Sequence, residues 1–251
     1  LLTGILLSRV LSGTIGEYYG WRFMYELAAL SILLIGFRLW WLLPDFEADT
    51  KLSYPALLKS MAGLWTKYTD LRRAALSQGL LSVAFSAFWS TLAVMLHTDF
   101  QFGSAVAGAF GLAGAAGALA APLAGAIADK QGPERVTQLA AALVALSFAA
   151  MFLLPLLPTN GQIVLILLSA IGFDLGVQAA LIANQTLVYS LEPAARGRLN
   201  ALLFTSVFIG MAAGSALGSA ALSQFGWTGV ISLATVAALA SLLVRLKAKS
   251  G

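Results

Sequence analysis

Residues 163–187 read IVLILLSAIGFDLGVQAALIANQTL, a run whose single charged side chain is Asp174. A helix rises about 1.5 Å per residue, so this run exceeds the roughly 30 Å hydrocarbon layer of a bilayer. It predicts a membrane-crossing helix with one carboxyl group near mid-depth. Working outward, similar runs lie at Leu1–Ile15, Trp21–Leu43, Ala74–Leu96, Ser104–Ala128, Val136–Leu157, Ala201–Leu222 and Trp227–Val244. With Ile163–Leu187 they make about eight spans, the first of them short. The expected fold class is all-α, a polytopic transmembrane helical bundle.

Composition agrees. The chain is 59% hydrophobic and 10% charged, against about 25% charged in soluble domains. With lipid as the solvent, an outside this apolar is what a stable chain presents. No cysteine and one histidine, His97, are present, which removes disulfide scaffolds, thiolate zinc sites and multi-histidine metal centres. No cofactor or metal is expected. His97 stands at a helix mouth and receives no role.

Breaks between the spans are short and rich in turn residues: EYYGWR, HTDFQFGS, ADKQGPER, PTNGQ, EPAARGR and SQFGW. If residues 45–73 lie in the cytoplasm and sides alternate, that side holds Lys51, Lys59, Lys67, Arg72, Arg73, Lys130, Arg135, Arg196, Arg198, Arg245, Lys247 and Lys249. The opposite loops hold Arg22 alone. This positive-inside bias puts the C-terminus in the cytoplasm and explains the net charge of +4 without nucleic acid. Within residues 45–73, Leu57, Leu58, Met61, Leu64, Trp65 and Tyr68 share a helical face opposite Lys59 and Lys67, predicting a surface-lying amphipathic helix.

An internal repeat is visible. Gly13, Gly16 and Gly20-Trp21 in the first pair of helices match Gly214, Gly218 and Gly226-Trp227 in the last, with the tryptophans 206 positions apart. Many transporters are built from such repeats, and the period places an expected start about 130 residues upstream of Leu1, with about four helices preceding it. Leu1 is not an initiator methionine, and no basic leader or small-residue cleavage site follows it.

The sequence Gly125-Ala-Ile-Ala-Asp129-Lys130-Gln-Gly132-Pro-Glu-Arg135 resembles the loop signature of the major facilitator superfamily. Gly4 to Arg22 is similar to that family's fifth helix, and DLGVQAALIANQTLVYSLEPAARGRLNA is similar to its proton-linked bacterial efflux members. The resemblance implies a fold covering helices 5 to 12. Residues 1–44 would close the N-terminal half, 45–73 form the inter-half linker, and 74–251 make the C-terminal six-helix half with its tail. It also implies a bacterial inner-membrane exporter of a small organic solute, driven by protons through alternating access and monomeric when complete. Gly125, Asp129, Lys130, Gly132 and Arg135 become the gating-loop candidates. Pro133 and Glu134 depart from the signature, which usually has a basic residue there.

Charges at bilayer depth cost about 2.5 kcal/mol or more and mark function by default. Asp174 and Arg9 are the two. Low-dielectric surroundings favour a neutral carboxyl group, so Asp174 suits proton uptake and release, with a structural pairing, for instance to Arg9, as the other reading. Arg9 suits an anionic substrate or a buried ion pair. Gln178 and Gln185 share the Asp174 face and Asn184 adjoins it. Gln78, Ser82, Ser86 and Ser90 recur every fourth residue beside Phe85 and Trp89, as ligand lining or as helix packing. The glycines at 108, 111, 114 and 117 and at 210, 214 and 218 favour close helix approach.

Two competing functions are weighed: a fragment without transport of its own, and an intramembrane hydrolase. A lone histidine with no serine partner opposes hydrolysis, and the absence of a G-x-x-x-x-G-K-[ST] loop opposes ATP-driven transport.

Overall fold

In hydrocarbon every backbone N–H and C=O must find its partner within the segment, so apolar runs of this length become helices. The computed structural model describes residues 2–44, 53–112, 114 and 120–246, nearly all of them helical. The side chains of 2, 3, 5, 6, 9, 120, 121, 123, 124 and 129 lie outside that description. The order is α1 (Leu2–Tyr19), α2 (Trp21–Leu42), α3 (Tyr54–Lys67), α4 (Thr69–Phe100), α5 (Ser104–Phe110), α6 (Ala120–Gln131) and α7 (Pro133–Ala150). A 3-10 turn at Met151–Leu156 leads to α8 (Thr159–Leu191), and another at Pro193–Ala195 to α9 (Arg196–Leu246).

Five stretches among the described residues are long and apolar enough to cross a membrane: Trp21–Leu42, Thr69–Phe100, Pro133–Leu156, Thr159–Leu191 and Pro193–Leu246. The last has 54 residues, about 80 Å of helix, enough for two crossings. Gly226 breaks it with φ 64°. Gly20, between α1 and α2, also has positive φ, 86°. Both glycines of the two Gly-Trp pairs therefore occupy backbone conformations that side chains rarely adopt, the structural counterpart of the repeat. α1, with Arg9 and Glu17 in its 18 residues, is not among the five. The expected span Ser104–Ala128 is divided between α5 and α6, with residues between them outside the description.

The core is built from α4, α7, α8 and α9. Phe88, Phe148 and Phe173 are its largest fully buried rings, with Phe148 stacked on Phe173 at 4.6 Å. α4 and α9 approach through a stripe of small residues. A Cβ on Gly210 would strike the Gly79 carbonyl, one on Gly214 would stand 2.8 Å from the Val83 Cα, and one on Gly218 would stand 2.7 Å from the Ala87 Cα. Successive contacts advance four residues on each helix, so the two backbones run side by side as small-residue seams allow.

α1 meets the remainder through α5. A Cβ on Gly13 would reach the Ser104 carbonyl at 2.6 Å, and the Glu17 carboxylate accepts the Ala105 backbone N–H at 2.6 Å. α2 buries none of its residues. α3 packs by one line of apolar side chains: Leu64 is buried and Leu57, Met61 and Tyr68 are half-buried, while Leu58 and Trp65 lie on the exposed flank.

Candidate functional site

Asp174 sits halfway along α8, 5% exposed. The Trp89 indole Nε1–H of α4 donates to its Oδ1 at 3.1 Å. Trp89 is itself braced by aromatic rings, edge-on to Phe88 at 5.3 Å and to Phe173 at 6.1 Å. The indole also lines a cavity of about 300 Å³ between α1, α4 and α5, together with Ser12, Gly13, Leu92, Ala93, Ser104, Ala107 and Gly108. The sequence placed Trp89 and Asp174 on separate helices. The fold joins them by a hydrogen bond.

One to three turns further along α8 the polar side chains form a second group. Asn184 is fully buried and donates to Gln78 Oε1 at 2.9 Å, and Gln78 Nε2 donates to the Val177 carbonyl at 3.4 Å. The Asn184 carbonyl accepts from Arg245. Gln185 donates to Tyr189 and to Asn200 at 3.3 and 3.2 Å, while Gln178 is half-buried. Gln78 and Asn184 thus hold α4 to α8. The every-fourth-residue row beside them is likewise divided: Ser82 and Ser90 donate to carbonyls of their own helix, of Gln78 and Ser86, at 2.9 and 2.7 Å.

Arg245, at the end of α9, is 2% exposed. It pairs with Glu134 at 3.2 Å, and Glu134 also takes Arg73 at 3.4 Å. Arg73 reaches Asp70 at 3.6 Å. Buried Ser77 and Ser241 hydroxyls meet at 2.8 Å and close the same end of the α4–α9 contact. One ion cluster therefore ties α4, α7, α8 and α9 together where the basic residues concentrate.

This cluster was not foreseen. Arg73 and Arg245 served only as topology markers in the sequence, and Glu134 only as a departure from a motif. The signal was there in Glu134 itself, an acid where the signature has a base, which can bridge two arginines that a base would repel. Of the loop-signature residues, Gly125 and Gly132 are half-buried, Gly132 with φ 81°, and Lys130 is exposed. Arg135 is exposed and reaches Gln138 at 3.4 Å. The side chains of Asp129 and Arg9, both candidates, lie outside the described residues, as does Gly117.

A further clamp fastens α3. Glu192 accepts from the Tyr68 hydroxyl at 2.7 Å and from Lys67 at 2.9 Å, and Arg198 donates to Ser60 at 3.0 Å. The Tyr68 hydroxyl, followed by Lys67, holds the Glu192 carboxyl below its ordinary value, and the Tyr68 hydroxyl, followed by Glu192, raises Lys67.

No group of three or more acidic, histidine or cysteine side chains able to hold a metal occurs among the described residues. What the geometry does offer is a carboxylate buried at the centre of a membrane-spanning helix, accepting a hydrogen bond from an indole that also lines a cavity. Residues 1–191 match the model of the Major Facilitator Superfamily. The chain belongs to this family. Among its relatives, the "Uncharacterized transporter YgaY" of Escherichia coli O157:H7 is 38% identical over 97% of this chain and 61% of its own length. The "Probable transporter SCO4007" of Streptomyces coelicolor is 34% identical over 93% of this chain and 54% of its own length. The chain thus spans somewhat over half of the curated relatives it matches. A multi-pass membrane protein of the transporter superfamily accounts for the apolar helices, the Gly-Trp repeat and the glycine seam together.

Proposed function

We propose that the chain forms part of a secondary transporter that exports a small organic solute in exchange for protons, by alternating access in the bacterial inner membrane. The observation that supports this is Asp174, a carboxyl group buried mid-helix with an indole N–H on it and a cavity beyond. A carboxyl group buried away from water is suited to exchange a proton as access changes. In this reading residues 74–251 form one six-helix half. Residues 1–44 contribute the last two helices of the other, and α3 is the linker fastened to the second half by Glu192. The Glu134 cluster then keeps that half rigid while it rocks, with the basic end and the C-terminus in the cytoplasm and the transporter a monomer.

The test is proton-driven flux in everted membrane vesicles from cells expressing the whole reading frame that contains this chain. A panel of drugs and metabolites is compared in wild type and Asp174→Asn. Asn keeps size and polarity but carries no proton, so gradient-dependent flux disappears while folded protein stays at the wild-type level. Undiminished flux in a folded Asp174→Asn protein removes Asp174 from coupling and leaves it a packing residue.

A further inference from the structure

Two buried side-chain donors have no acceptor among the described residues, the Arg245 Nε and the Trp227 indole Nε1. Arg245 belongs to the Glu134 cluster. Trp227 lies at the opposite end of the bundle, where it lines a second cavity of about 260 Å³ between α4, the 3-10 turn after α7, α8 and α9. We propose that this cavity is a binding site for a small organic cation that carries a hydrogen-bond acceptor, a site additional to the transport reading above. It shares no lining residue with the α1–α4–α5 cavity. Ile166, its wall residue nearest Asp174 along α8, precedes the acid by about two turns, roughly 12 Å of helix.

The charge of the ligand follows from the walls. Asp99 is the only charged side chain among the lining residues. It is exposed at the mouth, as is Thr228. The Thr98 hydroxyl donates to one Asp99 oxygen at 3.0 Å, and a carboxylate can accept several further partners. Phe100, Phe152 and Trp227 add aromatic surface, and the inner wall holds the thioethers of Met95 and Met151, 1% and 0% exposed. Aromatic faces beside a carboxylate suit an alkylated ammonium, whose charge is wrapped in methyl groups that also pack well against the soft sulfurs.

The acceptor follows from Trp227. Its ring is braced by Phe88, with centroids 5.5 Å apart. Gln162, on the same wall, already donates to the Leu157 carbonyl at 3.0 Å. The buried polar atom left without a partner on this wall is the indole N–H, and a buried donor without an acceptor is costly. A ligand oxygen supplies what the described protein atoms do not. The volume falls just under the roughly 300–1,000 Å³ of small-molecule pockets, which restricts the ligand to a small one.

The test is equilibrium binding of tritiated acetylcholine to the purified whole protein in detergent at neutral pH. Acetylcholine joins a quaternary ammonium to a carbonyl acceptor. Two competitors separate these features: 3,3-dimethylbutyl acetate keeps the shape without the charge, and tetramethylammonium keeps the charge without the acceptor. Wild type should bind acetylcholine at least about tenfold more tightly than the neutral ester, and Asp99→Asn should remove most of that preference. Trp227→Phe retains an aromatic ring and loses the N–H. Acetylcholine should then weaken about fivefold to tenfold while tetramethylammonium stays within about twofold. Thr228→Phe, made at an exposed position, should leave the protein monodisperse and close the mouth to all three probes. Asp174→Asn should change none of the three affinities. Equal affinity for acetylcholine and the neutral ester overturns the proposal, and this comparison needs wild type alone. Equal losses of acetylcholine and tetramethylammonium in Trp227→Phe overturn it too. Binding that survives Thr228→Phe, or that disappears with Asp174→Asn, places the cation elsewhere in the molecule and also refutes the site. Flux surviving Asp174→Asn refutes proton exchange at Asp174 and leaves this site standing.

Discussion

Replacing Glu134 with glutamine removes one charge from a cluster in which two arginines share it. At an effective dielectric of about 20, a charge pair at 3.2 Å interacts by about 5 kcal/mol. The Glu134 side chain is 41% exposed, so solvent screening takes away more than half of this and leaves about 2 kcal/mol. The Arg245 side chain is 1% exposed, so its charge stays largely desolvated when its partner is lost. Stranding a buried charge costs about 3–5 kcal/mol when the pair is fully enclosed. Between those bounds, Glu134→Gln is expected to destabilise the fold by about 2–4 kcal/mol. The assay is unfolding in mixed dodecyl sulfate micelles, followed by far-ultraviolet circular dichroism, with Arg245→Met and the double variant completing the cycle. The double variant no longer strands a charge, so it should lose less than the sum of the single losses, by at least about 1 kcal/mol. A Glu134→Gln protein within about 0.5 kcal/mol of wild type, or strict additivity in the cycle, would refute the cluster as a clamp between helices.

Three other expectations follow from particular contacts. Gly214→Ala forces a methyl group onto the Val83 backbone, which cannot yield as a side chain would. The α4–α9 seam should lose about 2 kcal/mol or more, and Gly214→Leu should abolish the monodisperse peak in fluorescence-detected size exclusion. The Glu192 clamp on α3 should hold at neutral pH. A lowered carboxyl group keeps its contribution above its ordinary value of about 4.3 and loses it as pH falls through the lower folded value, and raised Lys67 loses its own only above about 10.4. A fluorophore on Thr66→Cys should therefore gain mobility, read as lower anisotropy, only when pH drops below about 4, and Glu192→Gln should show that mobility already at pH 7. The chain has no cysteine, so single-cysteine labelling also tests orientation. An impermeant maleimide added to intact cells should modify Thr98→Cys and leave Ser53→Cys untouched, and the reverse pattern would invert the topology.

Much was legible without coordinates, for reasons that lie in the solvent. A lipid environment demands long apolar runs, internally bonded backbone and charges kept to one side, and each demand writes a pattern into linear sequence. Helix identity, the amphipathic pattern of α3 and the paired Gly-Trp breaks at Gly20 and Gly226 could be read on that basis. Asp174 stood out because a lone carboxylate in an apolar run has no local excuse. What the sequence could not express were pairings between helices. Trp89 reaches Asp174 across 85 positions, and Arg245 reaches Glu134 across 111. Gln78, placed by its spacing in a possible ligand lining, meets Asn184 across 106 positions. Which polar groups meet is settled by how closely two backbones approach and how each helix is rotated. Those quantities depend on the glycine seam and the aromatic core as assembled solids, close-packed and sensitive to a single methyl group. The sequence by itself determined that this chain crosses a membrane as helices of the major facilitator type. Only the tertiary structure decided that a tryptophan stands between its buried acid and its cavity, because that depends on packing in three dimensions.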